Sequence, residues 1–333
     1  ASGVAGGKNN VVDGDRGAVV AGSGNVVSNG ANYSVIGGGY NNLVATPQSI
    51  IGIGNGNQIL PLDDEYAGAN QGCVIMGGLQ NRAESQFNFI GSGYQNSALG
   101  FRSVIVGGEQ NETHNWFGFI GCGDENKVYT NYSAVVCGYQ NIASNLYTFI
   151  GGGRANVAEG GYSAVLGGRG NTASGNYSAV PGGYQAAATH YGELAHASGN
   201  FAERGDAQAS AYVLRRTSTG TSPILLFLNG GDGAPLTVAS NRVVAFDALI
   251  TAVADNGDAA AYKYSGGIKW TDSANVEMIG ALSEDLAVED DPSWMVEIDA
   301  NTTDNSLRFR VTGATGRTIR WVASVRTAEA TMP

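Results

Sequence analysis

Along the first 200 positions the apolar residues follow neither a helical period nor a plain alternation; they recur every 15 residues. Counted from an asparagine, a small or β-branched residue stands two places on: Ala83, Ala98, Thr113, Val128, Ala143, Ala158, Ala173. Nine places on stands Ile90, Ile105, Ile120, Val135, Ile150, Val165 or Val180. The asparagines Asn81, Asn96, Asn111, Asn126, Asn141, Asn156 and Asn171 are spaced by 15 without a slip. Each follows a glycine by three residues, from Gly78 to Gly168, and Gly183 continues the series where Ala186 replaces the asparagine. Upstream, Gly7, Gly22, Gly39 and Gly54 precede Asn10, Asn25, Asn42 and Asn57, giving twelve copies with two extra residues near Asn29 and nine near Asp63. A 15-residue unit is too short for a helical hairpin and suits one coil of a β-solenoid, two short strands and two turns. Strand side chains alternate, so both apolar positions are expected to point into the coil. The asparagines should stack in a turn and hydrogen-bond up the ladder. The glycine should sit at positive φ or where a side chain would block the next backbone.

Positions eight and ten flank the buried aliphatic and face the other way. Phe89 goes with Gly91, Phe119 with Gly121 and Phe149 with Gly151; the intervening coils carry Val104 with Val106, Ala134 with Val136 and Ala164 with Leu166. Large plus tiny alternates with small plus medium. Such compensation is expected of a packed surface rather than a solvated one. It predicts a homotrimer of parallel rolls with a second core along the axis; a dimer, or an array laid against another protein, is the alternative. Twelve coils give roughly 58 Å of shaft at about 4.8 Å per coil.

After Gly183 the register loosens, and from about residue 222 the pattern changes to alternating strands: 224–228, 236–239, 243–254, 259–270, 276–279, 294–299, 307–311 and 318–326. Asn229-Gly230-Gly231-Asp232 and Asp255-Asn256-Gly257-Asp258 mark turns. About eight antiparallel strands in that length argue for a β-sandwich or jelly roll. The expected layout of this all-β chain is a shaft over residues 1–200, an exit segment over 201–221 and a β-sandwich tip over 222–333.

Composition narrows the function. Charged residues make up 14% of the 333, while 51 glycines serve the turns; their period excludes a low-complexity reading. A net charge of −11, spread along the chain, argues against nucleic acid or an anionic membrane as partner. No run of 18 apolar residues exists, so no transmembrane span or membrane insertion is expected. Ala1 begins inside a repeat, as a fragment of a longer protein would. Cys73, Cys122 and Cys137 have no metal spacing. Cys122 and Cys137 share a repeat position and fall within disulfide reach. That slot also holds Ser92, Gly107, Gly152, Gly167 and Gly182, which favours a simple demand for a small residue.

Candidate chemistry is sparse. Trp294 shares parity with Val296 and Ile298, and Trp321 with Ile319, Ala323 and Val325, which places both in a core rather than on a sugar; Trp270 is the third candidate. Arg308, Arg310, Arg320 and Arg326 lie on the outward parity of the last two strands and are the candidate receptor-binding residues for an anionic glycan or phosphate-bearing polymer. The competing account pairs them with acids such as Glu284, Asp285, Glu289, Asp290 or Asp291. Arg204-Gly205-Asp206 spells an integrin tripeptide but falls in a terminal coil, where a structural role is expected. The insertion over residues 60–71 should project, carrying Asp63, Asp64 and Glu65 as candidates for a cation or for glycosidase carboxylates. His114, His190 and His196 have neither a nucleophile elbow nor a metal pair around them. No catalytic residues, metal or cofactor are expected.

The segments NYSAVVCGYQN, GYSAVLGGRGN and NYSAVPGGYQ are similar to the head repeats of trimeric autotransporter adhesins. The similarity covers roughly residues 1–200 and implies a left-handed parallel β-roll, three chains side by side. No heptad stalk or membrane-anchor barrel follows, a departure from that family. The stretch HYGELAHASGNFAERGDAQASAYVLRRTSTG and the ending LRFRVTGATGRTIRWVASVRTAE resemble the exit segment and C-terminal domain of bacteriophage tail fibres. That resemblance implies a structural and receptor-binding virion component whose tip meets a host cell-surface glycan or protein, and which joins other tail proteins through a missing N-terminal region. A bacterial trimeric surface adhesin is the alternative, and a tailspike polysaccharide depolymerase the second.

Overall fold

The computed structural model describes residues 2–61, 72–271 and 275–332, and every regular element among them is a β-strand. The chain divides into two compact units, Ala1–Gly168 and Arg169–Pro333. Its parallel β-solenoid has about twelve turns, followed by antiparallel sheet. The insertion carrying Asp63, Asp64 and Glu65 lies outside the described residues.

In the first unit each coil contributes one short strand to each of two parallel ladders. Glu112–Thr113 lies between Ser97–Ala98 and Lys127–Val128, while Phe119–Ile120 lies between Val104–Ile105 and Ala134–Val135. Both interruptions close in register, Ala18 pairing with Val35 and Gln58 with Arg82. The two inward positions are fully buried, as expected: Ala98, Val128 and Ala143 on one strand, Ile105, Ile120 and Val135 on the other.

The asparagine ladder satisfies itself. Asn96 Oδ1 accepts both the backbone N–H and the side-chain amide of Asn111, at 3.1 Å each. Asn111 Nδ2 also donates to Gly107 O at 3.2 Å and Gly123 O at 2.8 Å. A fully buried amide with every group bonded fixes the turn, and leaving one unpaired costs about 1–3 kcal/mol. Both reasons foreseen for the glycine hold at once. Gly108 has φ +102°, and a Cβ there would lie 2.0 Å from Gly123 O.

The Phe/Gly alternation has a cause inside the chain. A Cβ on Gly121 would lie 2.3 Å from Val136 O, and Gly91 and Gly151 meet Val106 O and Leu166 O in the same way. In two of these coils the next residue adds a hydrogen bond, Ser92 N to Val106 O at 3.2 Å and Cys122 N to Val136 O at 3.0 Å, which brings the backbone close. The Phe119 ring lies over its own Gly121. Glycine is therefore required by the neighbouring coil, and the alternation alone does not demand a second chain. Cys122 and Cys137 are also more than small residues: they form a disulfide between adjacent coils, with Cα atoms 4.7 Å apart. One turn carries a ladder of rings, Phe117–Tyr132–Tyr147–Tyr162, at 4.7–5.1 Å and within 11° of parallel. Phe117, Tyr132 and Tyr147 hold φ near +58°. Stacking at about 0.5–1.5 kcal/mol per pair offsets much of that backbone strain.

The second unit starts with coils, Thr172–Ala173 pairing in parallel with Ala187–Ala188. The chain then reverses: Leu194–Ser198 pairs antiparallel with Ala207–Thr219. Residues 201–221, expected as an exit segment, thus contain a thirteen-residue strand that pairs along its whole length with Thr318–Thr331. The sheet continues through Arg242–Ala254 and Ala259–Trp270 to Ser283–Glu289, a second strand absent from the sequence reading. A smaller sheet is built around Ser306–Thr312, with Met295–Asn301 on one side and Ile224–Leu225 and Leu236–Thr237 on the other. The two sheets enclose a core that includes Phe246, Ile250, Trp294, Phe309 and Trp321. This is the expected sandwich, with both tryptophans inside, their rings 5.7 Å apart. The Trp321 indole donates to Ser218 Oγ at 2.9 Å.

Candidate functional site

Three places carry enough chemistry to be weighed. The first is the set of four arginines. Arg308 and Arg310 lie on the small sheet, Arg320 and Arg326 on the large one, and the core separates the layers. The outward faces of a sandwich point away from each other, so the four do not form one surface. Arg308 makes a two-pronged pair with Asp299, 2.7 and 2.8 Å, and Arg310 binds Glu297 at 2.9 Å and Asp299 at 3.2 Å. The pairing account holds for these two, though with acids directly across the strand rather than the five foreseen. Asp299 holds the Arg308 guanidinium above its ordinary range. Arg320 faces Val253 and Thr217, Arg326 faces Asp247 and Ala211, and both are exposed.

The second place is a polar cluster inside the second unit. Glu193, 1% exposed, accepts from Thr189 N, His190 N, His190 Nδ1, Ser210 Oγ and Tyr212 Oη at 2.6–3.1 Å. Burial would raise its pKa, but His190 and the other donors outweigh it and hold the carboxyl below its ordinary value. Burial would lower His190, yet Glu193, with help from Glu329 and Thr237 O, raises it. Glu329 is pushed up by burial and by Glu193, against the pull of Arg242. Two carboxyls with opposed shifts invite an acid–base reading. Geometry refuses it: both Glu193 oxygens are already engaged by donors, and the space beside it is about 90 Å³ against the roughly 300 Å³ of a small ligand site. The cluster fastens the last coils to both sheets, to the small one through His190 Nε2 and Thr237 and to the large one through Ala187 and Gln208. Asp206 of the Arg-Gly-Asp sequence is likewise structural, accepting from the backbone of Phe201, Ala202 and Glu203.

The third place was not foreseen. A groove of about 710 Å³ runs along the first unit over the strands that carry Ser97, Glu112, Lys127, Ile142 and Val157. A further 530 Å³ around Gln58 and Arg82 shares Gln95 and Ser97 with it. One rim is an amide ladder. Gln95 Nε2 donates to Gln80 Oε1 at 3.0 Å, Gln110 Nε2 to Gln95 Oε1 at 3.2 Å, and Gln140 Nε2 to Glu125 Oε2. Across from it Glu112 lies 2.9 Å from His114 Nε2 and 3.7 Å from Lys127 Nζ. Tyr129, then Glu112, hold the Lys127 ammonium above its ordinary range. Tyr129 stacks on His114 with ring centroids 4.8 Å apart. The glutamines stand at one repeat position, immediately before the asparagine, so the signal is present in the sequence.

On the other ladder, Val20, Met76, Val106, Val136 and Leu166 occupy one repeat position, held by Gly37, Gly52, Gly91, Gly121 and Gly151 in other coils, and are 41–56% exposed. Their stripe stands apart from the groove. Among the described residues no cluster of three or more His, Cys, Asp or Glu is placed to hold a metal, and no helix is long and apolar enough to cross a membrane.

No protein-family model and no curated protein matches the chain. Among solved structures it is similar to the tailspike protein of an Acinetobacter phage, at 9% identity over 97% of this chain and 82% of that one. The TM-score is 0.21, too low for the superposition to bear on fold or function.

Proposed function

We propose that this chain is the distal part of a bacteriophage tail fibre, a structural and host-receptor-binding virion component that works as a homotrimer. The observation that carries the proposal is the exposed aliphatic stripe from Val20 to Leu166. A solenoid with that much apolar surface on one ladder gains by burying it against copies of itself. The repeats supply stiffness, and the sandwich supplies a locally unique surface for a cell-surface glycan or protein. Three tips on one shaft would convert weak contacts into firm adsorption. With Arg308 and Arg310 already held by acids, Arg320 and Arg326 are the arginines offered to the receptor.

Sedimentation of the full chain should give a trimer, and Val136→Lys with Leu166→Lys should give smaller species. Arg320→Ala with Arg326→Ala should weaken adsorption to host cells while the trimer persists. A wild-type chain that sediments as a folded monomer would remove the basis of the shaft reading. Unchanged adsorption would remove the tip arginines. A bacterial surface adhesin is the alternative built on the same repeats. A tailspike depolymerase is the second reading, favoured by Glu112 and Glu125 lining one groove. Release of new reducing ends from host polysaccharide would decide for it.

A further inference from the structure

We infer that the groove on the first unit is a binding site for an extended, neutral oligosaccharide, lying along the amide ladder with its sugar faces against Tyr129 and Ile142. The inference does not depend on the tail-fibre reading.

The volume, about 710 Å³, falls in the range of true ligand sites, roughly 300–1,000 Å³. Its chemistry is that of a polyol receptor. A glutamine amide has two N–H donors and two acceptor lone pairs. Within the ladder Gln95 spends one N–H on Gln80 and one lone pair on Gln110, and Gln110 spends one N–H on Gln95, so donor and acceptor capacity remains, and both side chains are exposed. Holding the amides to one another fixes their orientation before a ligand arrives, which lowers the entropy lost on binding. A sugar hydroxyl both donates and accepts, as these amides do. On the groove floor Ile142 and Val157, with Tyr129 two residues along the chain from Lys127, give apolar area for the C–H faces of the rings.

Charge argues for a neutral ligand. Glu112 and Glu125 stand against Lys127 in the same groove, so an anionic polymer meets repulsion from two carboxylates. Periodicity argues for a sugar over a peptide. Coils repeat at about 4.8 Å, whereas an extended peptide advances about 3.3 Å per residue and falls out of step after one coil. A pyranose chain advances close to one ring per coil. Strand addition is closed to a peptide as well, because the backbone groups of the groove strand already bond to neighbouring coils: Glu112 N donates to Asn126 O and Lys127 N to Asn141 O, at 2.9 and 2.8 Å.

The test is calorimetric titration of the full chain with β1→4-linked glucose and N-acetylglucosamine hexamers, their dimers, a hyaluronate hexamer and a proline-rich peptide of similar length. At least one neutral hexamer should bind, and at least about tenfold more tightly than its dimer, because several coils are engaged at once. Gln110→Ala with Gln140→Ala, and separately Tyr129→Ala, should each weaken it about tenfold with the melting temperature unchanged. Arg320→Ala should leave it unaffected. No binding of either neutral hexamer, tighter binding of the hyaluronate or the peptide, or neutral binding that the groove variants do not alter would overturn the inference. The two variant sets also separate this site from the tip: loss of adsorption with intact hexamer binding counts against the tip reading alone.

Discussion

The solenoid unit and the sandwich solve the same problem, burying enough of a glycine-rich chain, by opposite means. In the first unit most buried contacts are repeated one coil later. The core is made of Ala, Val and Ile, and buried polarity is held in amides and hydroxyls that bond to the next copy. Each coil depends on its two neighbours and on little else. In the sandwich, contacts join residues far apart in sequence, such as Ser218 with Trp321, and the core rests on a few large aromatics. A repeat spreads its stability along its length. A sandwich concentrates it.

The sharpest way to test that contrast is to damage one residue in each unit and ask how far the damage travels. Trp321→Ala removes the largest fully buried side chain and should cost about 3–5 kcal/mol. Hydrogen exchange should accelerate throughout the large and small sheets together. Gly108→Ala places a Cβ against Gly123 O in a left-handed backbone and should cost roughly 3 kcal/mol. Exchange should there rise only in the coils adjoining Gly108, with the sandwich amides unchanged. Cooperative loss of the whole first unit after Gly108→Ala would break the nearest-neighbour account.

A smaller effect concerns pH. The buried polar groups of the first unit are Asn, Ser and Thr, which do not titrate, beside the Cys73 thiol, which burial pushes up to about 11, whereas the second buries Glu193 and Asp206. His190 is raised above its ordinary value, so the stability it contributes is complete below about pH 6.5 and is lost as pH rises through its folded pKa. Glu329, also raised, acts in the same direction over its own range. Glu193 is lowered, so its contribution is present above its ordinary value and lost as pH falls through the folded one. The melting temperature of the second unit should therefore peak in the mildly acid range and decline toward alkaline pH. His190→Gln should flatten the alkaline decline. An equal decline in exchange protection across the first-unit coils would show that the cluster is not its source.

The repeat was legible to the residue. Because every coil has the same environment, each position is sampled about ten times, and Asn111, Gly108 and Ile120 need only be compared with their neighbours 15 residues away to reveal their roles. The same averaging hid the groove: Gln95 and Gln110 recur like turn residues, and only the stacked geometry turns them into a rim. In the second unit the strand Ala207–Thr219 went unread because its inward side includes Gln208 and Ser210, polar residues buried by their bonds to Ala187 and Glu193. Hydropathy cannot see a buried polar side chain whose partner is distant. The sequence by itself determined the coil, its register through both insertions, and the alternation that buries Trp294 and Trp321, since these follow from local sterics and period. Only the tertiary structure decided which sheet each strand joins, and so that Arg308 and Arg320 face opposite ways. It alone showed that Gly121 answers to Val136 O, and that Cys122 meets Cys137. Those outcomes depend on which backbones come within a few ångströms of each other, and no single strand carries that information.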